Sequence, residues 1–162
     1  MKKSIISYLT SRRLKRLQAT PSLGYRHAQR VAVLINTEEK WQGLDQFFHH
    51  LKADNKQLSS IYYYGKNDPA EAGQKAYHPT DISLFGSLKS EVLQDFVSLP
   101  YDYCFILDRK PHPYIDFIAA QLKCQTTIGF VYTNGNYLAD LQIKPDHGRE
   151  LTDLLRYTKQ LS

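Results

Sequence analysis

The sequence predicts an α/β domain of doubly wound type, with a single Rossmann-like, mostly parallel sheet preceded by a basic N-terminal helix. Three observations predict it. Apolar runs such as Val31-Ala32-Val33-Leu34-Ile35 and Tyr103-Cys104-Phe105-Ile106-Leu107 do not alternate with polar residues, as expected of strands covered on both faces. Between such runs lie segments whose apolar residues recur at helical spacing. The two kinds of segment alternate along the chain, which is the order of a sheet with helices on both sides. A length of 162 residues suits one domain. Residues 1–24 read as a basic helical arm and residues 25–162 as the α/β domain, and residues from about 30 to 162 are expected to fold without the arm.

The elements follow in order. Residues 1–18 read as a helix with Ile5, Ile6, Leu9, Leu14 and Leu17 on one side. Thr20-Pro21-Ser22 and Gly24 then break it. Residues 30–35 form the first strand. Asn36 or Thr37 can cap a following helix, and Glu38 and Glu39 suit its positive end. Trp41, Leu44, Phe47, Phe48 and Leu51 supply its apolar face. Residues 58–64 read as a second strand, followed by a turn at 65–69 and a polar loop. Residues 81–85 read as a short strand, and Gly86-Ser87 as the opening of a helix that Pro100 stops. Residues 103–107 make the most strongly apolar strand and should be central. A helix at 114–123, a strand at 127–132 and a strand at 137–143 come next. Thr133-Asn134-Gly135-Asn136 has the chemistry of a hairpin turn between the last two. Residues 148–161 close the chain as a helix.

Charge is distributed unevenly. Residues 1–37 contain no Asp or Glu but hold Lys2, Lys3, Arg12, Arg13, Lys15, Arg16, Arg26 and Arg30. The other 125 residues carry 13 basic and 16 acidic side chains. A cationic arm on a mildly acidic body implies an anionic partner: RNA or a ribonucleoprotein first, then an acidic protein or an anionic membrane surface.

Several classes are disfavoured. Cys104 and Cys124 sit in apolar settings and read as reduced structural thiols. His49 and His50 are neighbours on a helix and point apart, while His50 and Asp54 alone are too few ligands for a metal. No metal site is therefore expected. No run approaches the 18 apolar residues of a membrane span, and the apolar stretch after Lys3 is too short for a secretory signal. The expected compartment is the cytoplasm, although an acid-free, Arg-containing start also matches an organellar transit peptide. The strand at 30–35 is not followed by Gly-x-Gly-x-x-Gly, and no phosphate loop occurs elsewhere, so no nucleotide cofactor is expected.

In doubly wound sheets, ligands bind beyond the carboxyl ends of the strands. The residues expected on that rim are Asn36, Thr37, Lys66, Ser87, Asp108, Arg109, His112 and Asn134. Asp108 at a strand end has the character of a general base and His112 that of a proton shuttle. The same residue types also serve as turn formers and caps. Ser87 has no identifiable base, so no nucleophilic triad can be assembled.

The run Tyr101-Asp102-Tyr103-Cys104-Phe105-Ile106-Leu107-Asp108, the segment Ile118 to Cys124 and Ile128-Gly129-Phe130 together resemble part of the N-terminal lobe of heptosyltransferase-type (GT-B) glycosyltransferases. That resemblance implies a sugar- or nucleotide-processing enzyme or subunit. In that architecture, however, the donor binds mainly to a second lobe, which is not expected here. The order RVAVLIN, DISLFG, YDYCFILD, TIGF more closely resembles a domain family of unknown function found in Bacteroidota. Taken together, the sequence leads to the expectation of a non-catalytic cytoplasmic binding or accessory domain. Its arm would engage an anionic partner. A glycosyltransferase-related enzyme and a peripheral membrane protein are the alternatives.

Overall fold

The computed structural model describes residues 1–14, 23–131, 139–144 and 148–161, with side chains from residues 1–10 in the first of these segments. One six-stranded sheet runs through it, made of β1 (Arg30–Asn36), β2 (Gln57–Tyr63), β3 (Ala76–Tyr77), β4 (Pro100–Leu107), β5 (Lys123–Phe130) and β6 (Leu141–Ile143). The spatial order is β3-β2-β1-β4-β5-β6, and every pairing is parallel. The helices are α1 (Lys2–Leu14), α2 (Leu44–Ala53), α3 (Glu91–Ser98), α4 (Pro113–Gln121) and α5 (Glu150–Thr158).

The unbroken apolar runs divide between two cores because successive strand side chains point to opposite faces. Ala32, Leu34, Cys104 and Ile106 face one layer, which contains Ile6 of α1, Leu93 and Phe96 of α3, and Ile115 and Ile118 of α4. Val31, Val33, Ile35, Tyr103, Phe105 and Leu107 face the other, with Phe47 and Leu51 of α2 and Leu151, Leu154 and Leu155 of α5. The fold class is therefore the one the sequence implies, and β4 is flanked on both sides as its composition indicates.

Four local expectations are corrected. Residues 81–85 do not form a strand. The third strand is the two-residue β3, followed by a 3-10 turn at Pro79–Asp81, and Ser83 to Gly86 is a hydrogen-bonded turn. Helix α3 begins after Ser90, whose side chain accepts the Leu93 N–H, rather than at Gly86-Ser87. Helix α2 begins after Gly43, which takes φ +75°, so Glu38, Glu39 and Trp41 lie in the preceding loop. Finally, β6 is parallel to β5. A tight turn joins antiparallel strands only, and parallel neighbours need a crossover, so a hairpin does not connect these two. The turn residues themselves lie outside the described residues.

Helix α1 packs on the domain through α4. Ile6 is completely buried, and Leu9 packs against the same core. The segment before β1 is tied down separately. The Lys56 ammonium donates to the carbonyls of Tyr25 and Ala28 at 2.6 Å each. The Tyr25 hydroxyl donates to Asp54 at 2.6 Å, and Asp54 also pairs with Lys159.

Candidate functional site

From β1 the chain moves to one side of the sheet, through β2 and β3. From β4 it moves to the other, through β5 and β6. The carboxyl ends of β1 and β4 thus flank the switch point, where helices and loops part and leave a crevice. Asn36 ends β1 and Asp108 follows β4, and neither has exposed surface. The Asn36 amide donates to Asp108 Oδ1 at 3.2 Å, and its Oδ1 accepts the Glu38 N–H at 3.0 Å. The Thr37 hydroxyl donates to the Tyr63 carbonyl at 2.6 Å. Both side chains turn the loop after β1 and fasten it to its neighbours.

Beneath this rim lies an acid–base cluster. Asp108 Oδ2, His112 Nδ1 and Asp116 Oδ1 are buried and meet no hydrogen-bonding group among the described residues. Burial pushes the Asp108 carboxyl up to about 7. The charges of Glu39 and Asp116 push the same way, against hydrogen bonds from Asn36 and the Lys110 backbone. Burial likewise raises Asp116 to about 7, although the His112 backbone N–H opposes it. His112 Nε2 lies 3.6 Å from Glu38 Oε2, and its ring meets the Tyr63 ring at 4.6 Å. Burial holds the imidazole below its ordinary value, and this outweighs the upward pull of Glu38. Lys3 and Lys110 add to the depression. The ring is thereby biased towards its neutral form, with Glu38 opposing that bias. The cluster can take up and release protons near neutrality, but the inaccessible Asp108 sits under the rim and not in an open cleft.

The open part of the crevice is a cavity of about 190 Å³ bordered by Lys40, Trp41, Arg109, Gly148 and Glu150, among others. The Arg109 guanidinium lies over the Trp41 ring at 4.0 Å, and Trp41 stacks on Phe130. Each guanidinium nitrogen is engaged: Nε with Glu150 at 2.8 Å, one terminal nitrogen with Glu39 at 3.3 Å, the other with the Lys40 carbonyl at 2.8 Å. Arg109 is thus a strut across the crevice, with its charge already balanced by two carboxylates. A groove of about 360 Å³ between α2 and α5 adjoins it, sharing Gln42 and Leu151.

Sequence comparison places this architecture. A family of unknown function (DUF6913) matches residues 2–161. The chain belongs to this family. No curated protein and no solved structure matches it. The family match begins at Lys2 and so takes in α1, in keeping with the burial of Ile6.

Within this family member the expected binding residues fall into separate groups. Lys2 and Lys3 stand at the start of α1, and the Lys2 ammonium donates to the Pro79 carbonyl at 2.7 Å and lies over the Tyr114 ring. Burial lowers the Lys2 pKa, with Lys89 and Lys66 adding to the effect and Asp81 opposing it. Lys66 and Lys89 are thus near enough to act on the charge of Lys2, and Lys3 and Lys110 on that of His112. Arg26 and Arg30 are exposed at the opposite, amino end of β1 and do not join them. Arg12 and Arg13 continue α1, whereas Lys15, Arg16 and Asn134 lie outside the described residues. Ser87 belongs to the turn on α1 and α4, not to a strand end. Sequence reasoning missed Asp116, Trp41, Lys89 and Lys110 as site residues. A lone acid inside the apolar stretch YIDFIAA is the available signal for Asp116.

Among the described residues, no helix is long and apolar enough to cross a membrane, and no group of three or more His, Cys, Asp and Glu side chains has a metal-binding arrangement.

Proposed function

We propose that this chain is a non-catalytic, cytoplasmic binding domain for a polyanion, with RNA or a ribonucleoprotein as the favoured partner. The observation that carries this reading is that lysines from separate parts of the chain act on one another's surroundings at the first turn of α1, the helix that Arg12 and Arg13 continue. The charges of Lys89 and Lys66 act against that of Lys2, and a polyphosphate relieves such repulsion while releasing its own counterions. Affinity for a structured RNA should fall steeply between about 50 and 200 mM salt. Replacing Arg12, Arg13, Lys15 and Arg16 with Gln should shallow the salt slope by about one for each phosphate that is no longer neutralised. Fluorescence anisotropy with a labelled RNA measures both. Equal, negligible binding of structured RNA and of a random duplex at about 150 mM salt would overturn the proposal.

One observation favours a second reading, a sugar- or nucleotide-processing enzyme related to a glycosyltransferase lobe. Asp108, Asp116 and His112 form an acid–base cluster at the switch point, where such folds work. The engagement of Arg109 with Glu39 and Glu150 weighs against an anionic substrate in the crevice itself. The peripheral-membrane reading is weaker, because Ile6 and Leu9 are turned towards the domain and away from any bilayer.

A further inference from the structure

Phe85 is 79 % exposed, yet the turn that presents it is tightly built. The Gly86 N–H donates to the Ser83 carbonyl at 3.1 Å and the Ser83 N–H to the Ser87 carbonyl at 2.8 Å. The Ser87 N–H donates to Ser83 Oγ at 2.8 Å, and Ile82 bridges Leu88. Gly86 has φ +88°, and a Cβ there would lie 2.9 Å from Leu9 Cδ1 and 3.0 Å from Phe117 Cζ. The turn is therefore seated on α1 and α4, and only glycine suits that position. The anchored backbone holds the phenyl ring out into water.

A single exposed ring is ordinary on a protein surface. Its setting is what singles it out. Tyr8, on α1 one position before the Leu9 that touches the turn, is 64 % exposed. The Lys2 ammonium caps the Pro79 carbonyl at the start of the same loop, and the Lys89 N–H donates to the Asp81 carbonyl beyond the turn. Lys2 and Leu9 are two helical turns apart, about 10 Å along the axis. An exposed ring and the Lys2 ammonium are thus carried by one helix and the loop docked on it.

We infer that Phe85 is a stacking platform for unpaired bases of single-stranded RNA whose phosphates run along Lys2, Lys3 and Lys89. Every base offers a π-face, so stacking on an exposed ring next to cationic groups binds single strands with little sequence preference. A duplex keeps its bases stacked within itself and can use only the lysines. The inference rests on the polyanion reading and adds to it a choice of strand state.

The test is an anisotropy titration of a labelled uridine 12-mer, a duplex of the same length and anionic phosphatidylserine vesicles, using the full chain at about 100 mM salt. Phe85→Ala should weaken single-strand binding about tenfold, leave the salt slope and the duplex affinity unchanged, and leave the melting temperature unaltered. Phe85→Trp should restore the affinity. Lys2→Gln/Lys3→Gln/Lys89→Gln should instead weaken both nucleic acids and flatten the slope. The stacking inference is overturned if Phe85→Ala binds the single strand like the wild type, or loses single strand and duplex equally. In either case salt-sensitive RNA binding would leave the polyanion reading standing. Binding to vesicles with none to either RNA would overturn both.

Discussion

Replacing Asp108 with Asn should make the protein more stable at pH 8 and change little at pH 4. In the native state burial raises this carboxyl from its ordinary 3.8 to about 7. Between those values the folded protein still holds a proton that the unfolded chain has released. Stability attributable to this group is therefore full below about pH 4 and falls as the pH rises towards 7. At about 1.36 kcal/mol per pH unit, the loss approaches about 4 kcal/mol as an upper bound. Relaxation around the charge brings it nearer to about 2 kcal/mol. Asn has the same shape without the ionisation, and its Oδ1 can still accept from the Asn36 amide.

Urea unfolding of the wild type and Asp108→Asn at pH 4, 5, 6, 7 and 8 provides the assay. The variant's advantage should grow across that window to about 2–4 kcal/mol. For a domain of this size that is a rise in melting temperature of about 4–16 °C at pH 8. The comparison between proteins isolates Asp108 from groups with the opposite slope. One is Asp54, whose carboxyl is held below its ordinary value by Lys159 and Tyr25 even though its burial acts the other way. A stability difference that is the same at pH 5 and pH 8 would refute the reasoning, because the native carboxyl would then titrate like an unfolded one.

Two further outcomes test the packing. Ile106→Asp should unfold the domain or lower its stability by several kcal/mol, since Ile106 is 1 % exposed on a strand flanked on both sides and the new charge has no partner; a soluble variant with an unchanged melting temperature would refute this. Ile6→Ala should cost about 2–4 kcal/mol by thermal or urea unfolding, because the side chain fills the core between α1 and α4; an unchanged midpoint would mean that α1 is only loosely docked.

The parts of the fold legible in the sequence are those governed by local pattern. Strands β1 and β4 announce themselves because both their faces are covered, which leaves no polar alternation to disguise them. The parts that local pattern misplaces depend on distant partners. Ala76–Tyr77 is too short to carry a pattern and is a strand only because β2 offers it an open edge. Asp81-Ile82-Ser83-Leu84-Phe85 has strand-like composition, but Ile82 alone goes inward, while Leu84 is half-buried and Phe85 points to water. The hairpin chemistry of Thr133 to Asn136 suggests antiparallel partners, yet β6 lies parallel to β5, a pairing set by the sheet and not by local sequence.

The site divides along the same line. That Asn36 and Asp108 should meet follows from topology, because a doubly wound sheet brings the ends of two particular strands to its switch point. What they do there does not. Glu38 and Glu39 look like the opening of a helix but face His112 and Arg109 from a loop, because Gly43 delays the helix. Arg109 looks like a free cation and is a strut, because Glu150, 41 residues later, comes back to meet it. Lys89 and Lys110 carry no signal as single residues and matter only where α1 lands. The charge asymmetry of the first 37 residues is plain in the sequence, but its use depends on docking. Ile6 and Leu9 press one side of α1 into the domain, which brings its basic first turn beside lysines of the acidic body and sets Arg26 and Arg30 apart at the other end of the sheet. The polyanion reading therefore rests on a face built by packing at the first turn of α1.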